Sequence, residues 1–394
     1  MDNISVTLVC ISKFHHFALA RELLKYNMLK YIFTGYPLWK VKDEDIPSKY
    51  IRTYPWFQTT YMALAKWKLL GHGLIEKELF WYAHETLDHY VSNNLPKTDI
   101  LFALSGSGLN CGKKAKQNGI KYICDRGSSH IRYQNNILQE EYKIWGQQFK
   151  GIDPRIILKE EQEYDTADCI TIPSTFAYKS FIEMGIPKSK LYKIPYGVDL
   201  RRFHKICEPD PNRFDVLFVG QVSFRKGIPY LFDAFKKLKH PNKYLTIIGS
   251  IQPEIKDYLK NKTMPENVQF LGSLPQIELK YFMSKSHVMV LPSIEEGLAL
   301  VQAQALACGC PVIGTNHSGA EDLFTDGKEG FIVPIRDPEI IAEKLQEFAD
   351  DPEKRRDMSS AAVKLVSNLG GWHKYGAQIT QIFQGLVKDG LSFK

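Results

Sequence analysis

Short uncharged runs rich in β-branched and aromatic residues punctuate the chain, and between most of them apolar residues recur at three- and four-residue spacing. The first pattern reads as a buried strand, the second as a helix with one apolar face. In the N-terminal half the strand-like runs are residues 4–11, 29–34, 99–104, 120–124, 169–172 and 191–194. In the C-terminal half they are residues 215–220, 244–249, 268–272, 287–291, 311–314 and 330–334. Helical spacing covers 17–26, 156–165, 176–184, a stretch opening near Ile228, and 340–349, 353–365 and 372–386. Alternation of this kind predicts an α/β chain with parallel sheets, because parallel neighbours need a crossover connection, usually a helix. Residues 35–95 break the rhythm. They are crowded with Tyr and Trp, and residues 61–70 and 73–91 predict helices there.

The polar signal is concentrated in residues 286–313. Pro292 stops the strand-like run, since it has no donor for a ladder, and Glu295, Glu296 and Gly297 follow on a loop. Leu298, Val301, Ala305 and Leu306 then keep helical spacing until Gly309 and Pro311 end the helix. The amides of residues 297–300 would be the unpaired donors of a helix N-terminus, which favour an anion such as a diphosphate. Gly297 lets a ligand approach the backbone closely. Gln304 stands a little over two turns along, polar among alanines and leucines, and would face the same cleft. The plainer alternative is a strand–helix–strand unit carrying a solvated glutamate pair.

Other loops follow strands in the same way, and strand C-terminal ends are where open α/β sheets hold ligands. After the first run come Lys13, His15 and His16, a cation and two imidazoles suited to phosphate binding or proton handling, or else ordinary loop and cap residues. Ser105-Gly106-Ser107-Gly108 is a glycine-rich turn opening toward the same cleft. Asp125, Arg126 and His130 share one short loop, a composition that suits a polar pocket better than a core. Arg225 and Lys226 sit between the run 215–220 and a helix with Pro229 in its first turn. Cations fixed there would stabilise the negative charge that gathers on a departing phosphate, although an exposed basic pair can also be merely solubilising.

Composition bounds these readings. At 394 residues the chain can hold two domains with separate cores. The net charge of +7 is lopsided: residues 1–205 hold 29 Lys and Arg against 21 Asp and Glu, whereas residues 206–394 are close to balanced. A basic N-terminal half can meet phosphorylated substrates or an anionic membrane face; no nucleic-acid module accompanies it. The aromatic and basic stretch 65–70 suits a membrane interface, or simply core packing. Seven scattered cysteines fit a reduced, cytoplasmic setting, and Cys308-Gly-Cys310 lacks partners at zinc spacing. Neither a signal peptide nor a transmembrane segment is expected.

With these motifs in hand, residues 167–386 resemble the retaining, GT-B-fold glycosyltransferases of family four, also termed glycosyl transferases group 1; residues 1–166 share the general layout. Glu296, Gly297, Gly309 and Pro311 match the family's nucleotide-sugar signature, Lys226-Gly227 its basic loop, and Pro195-Tyr196-Gly197-Val198-Asp199 its domain-end pattern. Leu298 and Ala299 replace the usual Phe-Gly, Gln304 the ribose-binding Glu, and Gln221 the usual Arg. The resemblance implies two Rossmann-like domains facing across a cleft: residues 1–205 for the acceptor, 206–370 for the donor, and 371–394 as a helix crossing back. It implies Arg225, Lys226, Glu296 and His130 in catalysis. It places the donor on Gly220, Gln221, Ser223, Leu274, Gly297, Leu298, Ala299, Leu300, Val301 and Gln304, and the acceptor on His15, His16 and Arg126. The reaction implied is metal-independent hexosyl transfer with retention from a nucleoside-diphosphate sugar, which is a substrate rather than a cofactor. The acceptor would be a glycan, lipid-linked or small molecule, used in surface polysaccharide or glycoconjugate synthesis at or near the inner membrane face. A noncatalytic nucleotide-sugar-binding partner and a sugar-nucleotide epimerase are the rival classes.

Overall fold

The computed structural model describes residues 4–66, 74–149, 151–199 and 202–388. Two wholly parallel sheets carry the fold. The first uses β1 (Val6–Cys10), β2 (Leu29–Thr34), β3 (Ile51–Thr53), β4 (Ile100–Leu104), β5 (Lys121–Asp125), β6 (Cys169–Ile172) and β7 (Leu191–Lys193), in the order β3-β2-β1-β4-β5-β6-β7. The second uses β8 (Phe214–Val219), β9 (Lys243–Ile248), β10 (Val268–Gly272), β11 (Val288–Leu291), β12 (Val312–Thr315) and β13 (Gly330–Val333), in the order β10-β9-β8-β11-β12-β13. β1, β4 and β8 are buried at every residue, as central parallel strands covered on both faces must be. Both sheets are of the Rossmann-like, α/β kind that the alternation predicts. The order reverses between β1 and β4 and between β8 and β11, and it is at such crevices that α/β sheets hold ligands.

Two helices tie the sheets together. The helix Ile131–Ile144 follows β5 in sequence, yet Ile137, Leu138 and Tyr142 lie in the second core with Phe224 and Tyr230. The helix Trp372–Lys388 does the reverse: Tyr375, Ile379 and Phe383 pack into the first core, against the helix His15–Lys25. Trp67, Lys68, Leu69 and Leu70 of the basic aromatic stretch lie outside the described residues. Among the described residues no helix is long and apolar enough to cross a membrane.

Candidate active site

A cleft of about 1160 Å³ opens between the sheets, lined by the loops after β1, β4, β5, β8 and β11. Its second-sheet wall carries Gly220, Arg225, Lys226, Glu296, Gly297, Leu298, Ala299, Leu300, Val301 and Gln304; its first-sheet wall carries His15, Arg126, Ser128 and Gln134. Most residues expected from the sequence are therefore brought together. Gln221, Ser223, Leu274, His16 and His130 are not part of this lining. Ser223 instead accepts the Lys226 amide at 3.2 Å and shapes the basic loop from below.

The signature loop is pinned by Glu295. Its carboxylate is fully buried and accepts from Ser128 Oγ (2.6 Å), Ser129 Oγ (2.6 Å), the Ser129 amide (3.2 Å) and Gln134 Nε2 (2.8 Å), all from the first-sheet side. Arg225 Nε donates to the same carboxylate at 3.0 Å. Burial alone would raise its pKa, but Arg225 and the hydrogen bonds of Ser128, Ser129 and Gln134 outweigh burial and hold it at about 2. Burial likewise opposes charge on Arg225, yet Glu295 and Glu296 keep its pKa above the ordinary value. Arg225 is thus largely committed to the signature loop. Lys226 contacts Glu296 directly, so this second pair stands on the cleft wall beside the helix Leu300–Ala307.

Close approach explains two glycines. A Cβ on Gly297 would lie 2.0 Å from the Gly127 carbonyl, so only glycine lets the signature loop rest on the loop after β5. Gly227 has φ +68°, and a Cβ there would meet the Pro292 carbonyl at 1.9 Å. Ser174 Oγ donates to the Gly297 carbonyl, which fixes the loop from a third side. The helix beyond it begins at Leu300 rather than Leu298, because the Ala299 amide turns to the Ser318 carbonyl at 3.1 Å. Gly309, at φ +70°, follows its last turn as expected.

The histidines separate by environment. His15 Nε2 is 2.6 Å from Asp125 Oδ2 and its ring stacks on Tyr196 at 4.2 Å, so Asp125 fixes the ring at the cleft edge. Burial works against ionised Asp125, but His15 holds its pKa low. His16 is buried against Phe102, and burial lowers its pKa to about 3. His130 is the N-cap of the helix Ile131–Ile144, its ring enclosed by Tyr164 and Phe181, and burial lowers its pKa to about 4. Arg126 spends its guanidinium on Glu160 (2.8 Å), Gln134 and the Ser129 carbonyl. The glycine-rich turn does not offer its amides to the cleft, because Gly106 and Gly108 donate to Glu163 at 2.6 and 2.7 Å. Of the described residues, His15, His16 and Asp125 have the chemistry to hold a metal ion, their ligand atoms lying within 4.8 Å of one another.

Sequence reasoning treated Glu295 only as half of a glutamate pair. It also missed Gln134 and His84, which line the cleft from helices whose polar face gives no local sign of what lies opposite.

Comparison with known proteins bears on this cleft. Residues 201–365 match the family model Glycosyl transferases group 1. The capsular polysaccharide biosynthesis glycosyltransferase CapM of Staphylococcus aureus is 32% identical over 45% of this chain and 46% of its own length. The chain spans about half the length of several curated relatives it matches. Among solved structures, sucrose-phosphate synthase from Thermosynechococcus elongatus superposes with a TM-score of 0.73 at 18% identity, covering 98% of this chain and 100% of that one. Anabaena Alr3699/HepE in complex with UDP and glucose superposes with a TM-score of 0.69 at 16% identity, covering 97% and 100%. The chain therefore has the GT-B fold, and within it residues 201–365 are similar to the Glycosyl transferases group 1 family.

Proposed function

We propose that the chain is a retaining glycosyltransferase of the hexosyl type, moving a sugar from a nucleoside-diphosphate sugar to a glycan, lipid-linked or small-molecule acceptor in surface polysaccharide or glycoconjugate synthesis. The observation that carries this reading is the adjacency of Lys226, Glu296 and the N-terminus of the helix Leu300–Ala307 on one wall of a cleft between two sheets. A helix start and a lysine answer the diphosphate, and a carboxylate beside them suits the hydroxyls of a sugar. That a solved neighbour in the same fold is described with UDP and glucose supports the donor class.

In this reading Lys226 stabilises the leaving diphosphate, Glu296 orients the sugar, and Gln304 meets the ribose as a neutral amide. The leaving phosphate oxygen takes the acceptor proton as the new bond forms on the same face. His15, its ring held by Asp125, meets the acceptor in this reading. Lys226→Ala is expected to keep the fold and lower turnover roughly 100-fold, the scale of losing one preorganised charge stabiliser. A coupled assay for released nucleotide, with donors chosen by thermal shift against UDP-, GDP-, ADP- and TDP-sugars, measures it. Equal turnover by both proteins removes Lys226 from the mechanism, and binding without turnover of any donor favours a noncatalytic partner.

A further inference from the structure

The cleft, at about 1160 Å³, exceeds the roughly 300–1,000 Å³ of a pocket for one small ligand. The donor groups occupy its second-sheet wall, and the remainder has a different chemistry. Gln58, Tyr61, Met62, Phe80 and His84 line it from the helices Trp56–Lys66 and Leu74–Asn93, and Phe14 closes it from the loop after β1. Tyr61 and Phe80 meet edge to face at 5.9 Å, and the Phe80 ring lies 4.5 Å from His84. Phe80 is 38% exposed and Phe14 50%, a large apolar area to leave facing water inside a cleft.

Of the cations in the lining, Arg126 pairs with Glu160, while Lys13 and Arg21 share the one carboxylate of Glu44, at 2.9 and 3.1 Å. His84 is buried, with Nδ1 3.0 Å from Ser107 Oγ. Burial and nearby Lys159 lower its pKa to about 4, which keeps the imidazole neutral. A neutral imidazole beside aromatic rings, with the neighbouring Lys159 paired to both Glu85 and Asp88 at 2.6 and 2.8 Å, suits a hydroxyl on an apolar body rather than a phosphate.

We propose that this wall is the acceptor subsite and that it takes a neutral amphipathic glycoside, its hydroxylated head beside His84 and its alkyl or aryl portion on Tyr61, Met62, Phe80 and Phe14. The proposal rests on the glycosyltransferase reading of the cleft and adds the class of acceptor. It also moves acceptor recognition away from His16 and Arg126, whose side chains are committed elsewhere.

The test is calorimetric binding to the full chain of methyl and octyl β-D-glucoside, the matching galactosides and octyl phosphate, all below their micelle concentrations, with UDP titrated separately. Octyl glycosides are expected to bind at least tenfold more tightly than methyl glycosides, and octyl phosphate no more tightly than octyl glycosides. Phe80→Ala and Tyr61→Ala should each remove most of the octyl advantage, and His84→Ala should weaken both glycosides, while UDP affinity stays unchanged in all three. UDP binding with no octyl preference, or a preference that survives both aromatic variants, overturns the subsite alone. Tighter binding of octyl phosphate overturns the neutral head. A protein that binds none of the nucleotides or nucleotide sugars loses the underlying reading instead.

Discussion

Glu295 has no access to water, and it touches donors on both sides of the cleft. An acid whose folded pKa lies near 2, against an ordinary 4.5, adds stability that is fully present above pH 4.5 and is lost as pH falls toward 2. The shift corresponds to something on the order of 3 kcal/mol. Glu295→Gln cannot titrate, so its urea stability should fall less steeply than the wild type between pH 5 and pH 2.5, by roughly 2–3 kcal/mol. Parallel curves for the two proteins over that window would mean that the buried carboxylate is not ionised as described. The sequence exposed the pair Glu295 and Glu296 but could not rank them. Their roles differ because both meet the basic loop but only Glu295 also meets Ser128 and Gln134, more than 160 positions away. His15 and His16 were alike in sequence for the same reason: neighbours at a helix start point in different directions, one to the cleft and one beneath Phe102.

At the scale of elements, the helix Ile131–Ile144 decides how the halves meet. Leu138 is 6% exposed and sits in the core of a sheet that its own chain segment does not join. Leu138→Ala should cost about 2–4 kcal/mol, as a cavity in a packed core does. A urea midpoint moved by the equivalent of less than about 1 kcal/mol would show that the helix lies on the surface of that core rather than within it. Most strands and helices were legible from period and punctuation, because parallel strands buried on both faces leave long uncharged runs. This helix was not. Its buried face includes Asn135 and Glu141, the latter fully buried because Trp145 and Arg336 donate to it, so the apolar stripe is interrupted where tertiary partners satisfy the polar groups. β3 escaped for a simpler reason: Ile51-Arg52-Thr53 is too short to show a period, and only pairing with β2 makes it a strand.

For the whole molecule, the question is whether the two sheets behave as separate bodies. Interfaces between domains of one chain usually permit independent motion and melting. Here the connection is more than a linker. One helix is exchanged into each core, Lys193 reaches Asp322 at 2.7 Å, Arg336 reaches Glu141 at 2.7 Å, and Glu295 sits between the walls of the cleft. Unfolding either sheet would expose the helix lent by the other and leave a buried carboxylate without partners, so the two should melt together. Scanning calorimetry of the unliganded chain is expected to show one transition whose calorimetric and van't Hoff enthalpies agree. A nucleoside diphosphate at a hundred times its Kd should shift that whole transition by the equivalent of about 2.7 kcal/mol, although the proposed donor site draws chiefly on one wall. Two separable transitions, with only the later-sequence half responding to nucleotide, would show that the exchanged helices do not couple the halves and that cleft closure is free hinge motion.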